Sequence, residues 1–431
     1  MPDAAGPASD IAAGPATASL LAAIADTGRD PIRGGYTRPV FSTAERDLVD
    51  WYTAELDRRD LTAHTDRNGI IWAWWNPHDL PLADAVVTGS HLDSVPGGGA
   101  FDGPLGVASA LRAVDILQAR GVDPRVPLGL AVFPEEEGSR FGVACLGSRL
   151  LTGAIPTDKA LRLTDADGTT FADAARAAGL NPERMGHDDD TLRRIGAFVE
   201  LHVEQGRGLI DVGSPVAVAD SIIGHGRWRI TIDGQGNHAG TTLIADRHDP
   251  MLVAAHIVVA VRETAASNTG TRATVGRLQP TPGGTNVIAS RVDLWLDVRH
   301  PDDHITAAVV ADITRRAHAA AAAEGCTARI VEESISPTVS FHAGLTGRLT
   351  HALPGAPRLD TGAGHDAGVL AAHVSSAMLF VRNPTGISHS PDEHVEDDDA
   401  ELGAAALADA LTDLLSGSPS QVATREAQSQ P

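Results

Sequence analysis

The stretch SHLDSVPGGGAFDGPLGVASALRAVDILQAR, residues 90–120, decides the fold class. It follows a short β-prone run, AVVT at 85–88. Its glycine-rich loop leads into apolar residues at helical spacing from Pro104 to Arg120, and proline suits the first turn of a helix. Strand, tight loop and helix in this order predict an α/β domain with a mostly parallel sheet.

The alternation of strands and helices continues on both sides of this stretch. Further buried-strand candidates are VPLGLAVF at 126–133, AFVEL at 197–201 and SAMLFV at 376–381. The middle of the chain instead predicts strand 227–233, helix 250–264, strands 272–278 and 291–298, helix 303–324 and strand 327–331. This β-α-β-β-α-β order is ferredoxin-like. We therefore expect a smaller domain, 216–332, inserted into a larger one made of 19–215 and 333–415.

Composition excludes several classes of protein. The formal net charge of −22 disfavours nucleic-acid and anionic-membrane partners. Two cysteines, Cys145 and Cys326, exclude a disulfide framework and a cysteine zinc site. No continuous apolar run reaches the ~18 residues of a membrane span. The composition of residues 1–18 predicts a flexible lead without signal-peptide features. The polar composition of residues 416–431 predicts a disordered tail. We expect a cytoplasmic protein.

Four segments place histidines and carboxylates at or after predicted strands. They are SHLDSVPGGGAFDGPLG at 90–106, PEEEGSRFG at 134–142, ELHVEQG at 200–206 and GISHSPDEH at 386–394. In an open α/β sheet, sites form beyond the carboxyl ends of the strands. One histidine after a strand is more often structural, whereas four such segments together indicate one site.

The donors in these segments predict a metal centre. Three imidazoles and two carboxylates suit Zn²⁺, Mn²⁺, Co²⁺ or Ni²⁺, and they come from His91, Asp102, Glu137, His202 and His389. One carboxylate can bridge two cations about 3.5–4 Å apart, and such a pair of ions activates water.

Two neighbouring carboxylates have predicted supporting roles. Asp93 can orient the His91 imidazole by a hydrogen bond. Glu136 can stay free of metal and act as a general base. The alternative for the acidic run 135–137 is a solvated turn. A nucleotide site is disfavoured, because the glycine-rich loop has no GxGxxG register and carries Asp102 where a phosphate would lie.

These segments resemble the M20-type amidohydrolases, together with GQGNHAGTT at 234–242, GGTNVI at 283–288, DVRHP at 297–301 and GAGHDA at 362–367. The likeness covers roughly residues 35–415. It is closest to the branch of allantoate amidohydrolases, N-carbamoyl-L-amino-acid hydrolases and β-ureidopropionases. It implies a dimetal catalytic domain, two Mn²⁺ or Zn²⁺ ions per subunit, and a ferredoxin-like lid that forms a homodimer.

The resemblance also implies a role for each ligand. By that likeness Asp102 bridges the ions, His91 and His202 bind one ion, and Glu137 and His389 bind the other. Glu136 is then the general base.

Substrate contacts follow from the same likeness. His238 and Asn286 resemble the family's substrate and oxyanion contacts, with His238 offered to the partner subunit's site. Arg299 resembles the family's carboxylate-binding arginine. The remaining residues expected to line the substrate are Gln205, Gly364 and His365. The structural alternatives to these roles are that Arg299 is an exposed charge at the end of a strand and that Asn286 is a turn residue.

The expected reaction is hydrolysis of the linear amide of a small ureido (N-carbamoyl) acid. Allantoate is the favoured substrate. The alternatives are N-carbamoyl-L-amino acids and 3-ureidopropionate. His202 stands where peptidase relatives use a carboxylate, which disfavours a dipeptidase. A non-catalytic binding protein is disfavoured because all five ligand residues and Glu136 are present.

Overall fold

The computed structural model describes residues 14–417, which divide into two compact units. The larger unit comprises the described residues up to Asp220 and from Ser340 onward, and the smaller unit comprises Ser221–Val339. The α/β fold class with a mostly parallel central sheet is confirmed. Most of the predicted lead and tail, 1–13 and 418–431, lies outside the described residues.

The strands are β1 (His64–Thr65), β2 (Ile71–Trp75), β3 (Ala85–His91), β4 (Leu128–Phe133), β5 (Ile195–Val203), β6 (Val216–Ile222), β7 (His225–Asp233), β8 (Asn237–His238), β9 (Arg272–Thr281), β10 (Val287–Ile288), β11 (Arg291–Arg299), β12 (Thr327–Ser336), β13 (Val339–Ser340), β14 (Arg358–Thr361) and β15 (Ser375–Val381).

The α-helices are α1 (Thr17–Ala23), α2 (Thr43–Asp57), α3 (Pro104–Ala119), α4 (Leu146–Thr152), α5 (Thr157–Leu161), α6 (Phe171–Ala177), α7 (Asp189–Leu192), α8 (Gly208–Val212), α9 (Pro250–Ser267), α10 (Asp303–Ala323), α11 (Ala343–Ala352), α12 (Asp366–Leu370) and α13 (Asp397–Ser416). Two 3₁₀ turns cover Pro182–Arg184 and Ile244–Asp246.

A nine-stranded sheet forms the centre of the larger unit. Its order is β1-β2-β4-β3-β5-β15-β6-β13, with β14 paired to β6. The four central strands β4, β3, β5 and β15 run parallel, and β2 and β6 flank them antiparallel. Strands β3, β4 and β5 are buried along their whole length. Strands covered on both faces are continuous apolar runs, which explains the unbroken apolar stretches in the sequence.

Helix α3 packs tightly on this sheet. Every residue from Pro104 to Leu117 is buried, against β3, β5 and α13. A Cβ atom at Gly106 would lie 2.3 Å from the carbonyl oxygen of Leu201 on β5. Only glycine therefore allows this approach, which fixes the loop before the helix next to the strand ends.

Two predicted boundaries shift in the structure. Helix α1 already begins at Thr17, whose amide and hydroxyl donate to Glu401, so the predicted lead of 1–18 ends too late. The smaller unit begins at Ser221 and not at 216, because the first residues of β6 pair with β15 in the large sheet. It ends at Val339 because β12 continues to Ser336.

The smaller unit has the order β7-α9-β9-β11-α10-β12. Its four strands form an antiparallel sheet in the order β12-β7-β11-β9, which is the ferredoxin-like arrangement. Both helices pack on one face of the sheet. The shared core includes Ile230, Val253, Ile257, Leu294 and Ile313.

Helix α9 is the one helix of residues 14–417 that is long and apolar enough to cross a membrane, judged by length and composition. Its Val253, Ile257 and Val261 lie in the core of the smaller unit. Packing against the four-stranded sheet therefore explains the apolar residues on this face of the helix.

Candidate active site

The parallel strands bring three of the four predicted segments to one edge of the large sheet. His91 is the last residue of β3, and His202 is the last but one of β5. Glu135–Glu137 follow the end of β4, and His91 pairs there with Phe133. The fourth segment, with His389, lies in the loop between β15 and α13. Parallel strands end on the same side, so side chains distant in sequence meet there.

The carboxylate of Asp102 lies between two groups of ligand residues. Its Oδ1 atom is 3.6 Å from His91 Nε2 and 3.2 Å from His202 Nε2. Its Oδ2 atom is 3.4 Å from His389 Nε2, which is also 3.4 Å from Glu137 Oε2. Each group is compact enough to hold a metal ion. The two oxygens of one carboxylate therefore serve two separate groups.

In the buried imidazoles of His91 and His202, one of the two ring nitrogens has no hydrogen-bond partner. The Nδ1 atoms of His91 and His202 lie 3.0 Å and 2.9 Å from the main-chain oxygens of Asp93 and Val203, which places the ring proton on Nδ1. Both Nε2 atoms are buried without a partner and face Asp102. A lone pair directed at a carboxylate oxygen is unfavourable unless a cation lies between them. These residues fit a divalent metal ion held by nitrogen and oxygen.

The charges of this site repel one another. Burial, followed by the charge of Asp102, raises the pKa of Glu137 to about 8. Burial also raises the pKa of Glu136 well above its ordinary value. Burial and the neighbouring His202 lower the pKa of His365. A bound cation would relieve the crowding of carboxylates.

The three consecutive glutamates have three different sets of contacts. Glu135 is buried and accepts hydrogen bonds from the amides of Arg140 and Phe141, at 3.0 Å and 2.6 Å, which hold the following turn. Glu136 is 5% exposed, and its Oε2 atom lies 3.7 Å from His91 Nε2. Glu137 faces His389. The alternative of a solvated acidic turn is therefore wrong.

Asp93 contacts both His91 and the acidic run 135–137. His91 donates to the main-chain oxygen of Asp93, and its Nδ1 is 3.6 Å from the Asp93 carboxylate. That carboxylate instead accepts the amide hydrogens of Glu136 and Glu137, each at 3.1 Å. Asp93 thus holds the His91 ring through its main-chain oxygen and the backbone of the two glutamates through its carboxylate.

The residues expected to line the substrate in the larger unit lie close to these ligands. Gln205 Nε2 donates to Asp102 Oδ2 at 2.9 Å and lies 3.3 Å from His389 Nε2. His365 is buried, and its ring centre is 4.4 Å from that of His202. Neither nitrogen of His365 has a hydrogen-bond partner. Gly364, beside it, is exposed.

Three other expected substrate contacts lie in the smaller unit. His238 on β8 pairs with Val287 on β10, and the amide of Ala239 donates to the carbonyl of Asn286 at 3.0 Å. His238 and Asn286 are therefore exposed neighbours. Arg299 ends β11 on the face opposite the core, and its Nε and Nη2 atoms donate to the Asp297 carboxylate at 2.8 Å and 3.2 Å.

Sequence reasoning missed several buried acids around the site. Glu200 accepts hydrogen bonds from Ser90 Oγ at 3.0 Å and from the Ala367 amide at 3.1 Å. It also forms a third compact group of potential ligands with His202 and His365. Asp366 is fully buried and accepts from the Ser148 hydroxyl at 2.5 Å. Glu200 lies in the motif ELHVEQG and Asp366 in the motif GAGHDA, but only their position in the fold distinguishes them from surface acids.

Comparison with known proteins identifies the family. The sequence profile described as Peptidase family M20/M25/M40 matches residues 87–413. The chain belongs to this family. An N-carbamoyl-L-amino acid amidohydrolase of Geobacillus stearothermophilus is 35% identical over 401 residues, covering 92% of this chain and 97% of that protein. The allantoate amidohydrolase of Escherichia coli strain K12 is 31% identical over 392 residues, covering 88% and 93%.

Solved structures of the M20 family share the fold. A hydantoinase/carbamoylase family amidase from Burkholderia multivorans superposes with a TM-score of 0.83 and 29% identity, covering 93% of this chain and 97% of that one. The chain is thus a hydrolase of carbon–nitrogen bonds in linear amides, and its clustered ligands support divalent metal binding.

The metal-free protein should lose unfolding free energy as the pH rises from about 4 to about 8. Burial and the charge of Glu200 raise the pKa of Asp366 to about 8, and the pKa of Glu137 is also raised to about 8. The folded state then binds more protons than the unfolded state in this range, so stability falls with pH. Urea denaturation in a chelator at several pH values measures the slope. Asp366→Asn should reduce it; an unchanged slope would contradict this account.

Proposed function

We propose that this M20 enzyme hydrolyses the linear amide of a small ureido acid at a two-metal centre. One observation carries the proposal: the two oxygens of Asp102 face two separate ligand groups, while Glu136 remains beside them. A bridging carboxylate with a free carboxylate next to it is the arrangement required for metal-assisted attack by water on an amide.

The ligand assignment follows the two groups. His91 and His202 would hold one ion and Glu137 and His389 the other, with Asp102 between them. Mn²⁺ and Zn²⁺ are the proposed ions, and Co²⁺ or Ni²⁺ also suit these donors. When bound, the ions supply a water of lowered pKa and polarise the amide oxygen.

Glu136 is the proposed general base and acid. Its Oε2 atom faces His91, while its Oε1 atom accepts a hydrogen bond from the Cys145 thiol at 3.3 Å. It would take a proton from the attacking water and deliver it to the leaving nitrogen. The raised pKa of this buried carboxyl suits a group that must both accept and release a proton.

The smaller unit supplies the proposed substrate contacts. His238 and Asn286, adjacent and exposed, can donate to the oxyanion of the tetrahedral intermediate, and one such donor is typically worth ~2.7–4 kcal/mol of barrier. Arg299 would bind the substrate carboxylate with its guanidinium fork. In the larger unit, Gln205 and His365 are the proposed substrate-lining residues beside the metal ligands.

A homodimer through the smaller unit is part of the proposal. Strand β9 is an edge of the four-stranded sheet, and edges present main-chain groups that another chain can pair with. On helix α9, Leu252, Val258 and Val259 are 44%, 39% and 56% exposed. In this arrangement His238 would serve the active site of the partner subunit.

The substrate is a ureido acid with a free carboxylate. Allantoate is the first candidate, as the sequence motifs indicate. N-carbamoyl-L-amino acids are the second, favoured by the relative of 35% identity that is named for them. A further relative, 32% identical, is named ureidoglycolate hydrolase. Initial rates with allantoate, N-carbamoyl-L-amino acids, 3-ureidopropionate and dipeptides, each with Mn²⁺ or Zn²⁺, decide among them. Turnover of dipeptides alone would contradict the proposal.

Glu136→Gln should lower kcat about a hundredfold to ten-thousandfold while metal uptake is retained, because the proton acceptor is lost and the ligands remain. Glu137→Gln is the matched variant next to it and should reduce metal uptake. Steady-state kinetics and metal content per chain measure both effects. Substantial turnover by Glu136→Gln would remove this residue from the role of base.

Arg299→Ala should lower kcat/KM for carboxylate substrates roughly tenfold to a hundredfold, because it removes charge-assisted hydrogen bonds that contribute about 1.5–3 kcal/mol. The kcat/KM for their neutral amide analogues should fall much less. Arg291→Ala is the matched control, because Arg291 lies on the same strand and pairs with Asp293 at 2.9 Å and 3.0 Å in the same way. Equal losses for acids and neutral analogues would argue against carboxylate recognition.

His238→Ala should lower turnover while metal binding persists. Mixing it with Glu136→Gln protein should then restore roughly a quarter of wild-type activity, because half of the exchanged dimers are mixed and each holds one complete site. The mixture is assayed after subunit exchange, with each variant alone as control. Absence of any rescue would favour a site completed within one chain.

A further inference from the structure

Glu393 has no role in the proposed reaction, yet it is buried beside the proposed metal ligands. It lies in the segment GISHSPDEH, four residues after His389, and it is 4% exposed. Its neighbour Asp392 is exposed. Acids are seldom buried without partners that compensate for lost hydration, so its contacts indicate its function.

The carboxylate of Glu393 joins two loops that are far apart in the sequence. Its Oε1 atom accepts the amide hydrogens of Phe101 and Asp102, both at 3.0 Å. Its Oε2 atom lies 3.1 Å from the Ser388 hydroxyl, which is also 3.2 Å from Asp102 Oδ2. One side chain thus holds the peptide of the proposed bridging ligand and the residue next to His389.

The glycine-rich loop is shaped around this side chain. A Cβ atom at Gly99 would lie 2.2 Å from Glu393 Oε1 and 2.4 Å from its carboxyl carbon. Any other residue at position 99 would therefore displace the carboxylate from the amides of Phe101 and Asp102. His389, on the opposite loop, has a φ of 55°, a conformation that a non-glycine residue keeps only when its surroundings hold it.

We propose that Glu393 is a positioning residue, which fixes Asp102 and the His389 loop relative to each other and thereby sets the affinity of the metal centre. This inference rests on the proposed two-metal site. Residues that orient metal ligands commonly change metal affinity by about tenfold to a hundredfold when they are removed. Charge-assisted hydrogen bonds to two main-chain amides give Glu393 the required rigidity.

A purely structural tie between the loops makes a different prediction. It would lower the stability of the metal-free protein and leave the Mn²⁺ affinity of the folded protein unchanged. A positioning role changes that affinity in protein that remains folded. The two are separated by measuring the Mn²⁺ dissociation constant by calorimetry on metal-stripped protein and, separately, its urea denaturation curve.

The variants are Glu393→Ala and Glu393→Gln, with Asp392→Ala as control on the same loop. Glu393→Ala should weaken Mn²⁺ binding about tenfold to a hundredfold. Glu393→Gln keeps an oxygen for the two amides but replaces the one facing Ser388, so it should recover part of the affinity and still bind less tightly than wild type. Asp392→Ala should bind Mn²⁺ like the wild type.

Gly99→Ala tests the contact of Glu393 with the amides of Phe101 and Asp102 without removing Glu393, because the added methyl group would displace its carboxylate. It should weaken Mn²⁺ binding in the same direction. If Glu393→Ala does not fold, Glu393→Gln and Gly99→Ala decide. Wild-type Mn²⁺ affinity in the folded variants overturns the inference. Failure of the wild-type chain to bind Mn²⁺ or Zn²⁺ would instead overturn the proposed metal centre.

Discussion

The placement of one carboxylate, that of Asp102, determines how the candidate ligand groups of the larger unit are arranged. Its two oxygens face different groups of ligands, at 3.2 Å from His202 and 3.4 Å from His389. This arrangement requires strands β3 and β5 to end side by side and helix α3 to approach β5 closely. Gly106 permits that approach, and Gly103 is needed as well, because a Cβ there would lie 2.5 Å from the His91 ring.

The same placement concentrates negative charge in a buried region. Asp93, Asp102, Glu136, Glu137 and Asp366 are all within the buried part of the larger unit or at its edge. Desolvation disfavours their ionised forms, and the pKa of both Glu137 and Asp366 rises to about 8. The site is therefore built at the expense of stability in the absence of cations. Such electrostatic strain is common where carboxylates must bind metal or move protons.

The smaller unit has a different physical character. Its core is formed by two helices on one face of an antiparallel sheet, while the other face carries ion pairs such as Arg299 with Asp297. A guanidinium already held in a fixed plane loses less side-chain entropy when it binds a second carboxylate. The exposed ribbon with His238 and Asn286 presents donors without contributing to the core. The apolar core and the exposed polar groups of the smaller unit are thus separate.

The sequence by itself determined the α/β class, the β-α-β-β-α-β order of the smaller unit and the chemical types of the donors, because periodicity and strand-end motifs are local properties. It did not determine which atoms meet. Only the tertiary structure showed that the Asp93 carboxylate holds the amides of Glu136 and Glu137. Only the tertiary structure joined Glu393 to Asp102, 291 positions apart. Such contacts depend on how separate loops pack at one sheet edge, and no local pattern encodes that.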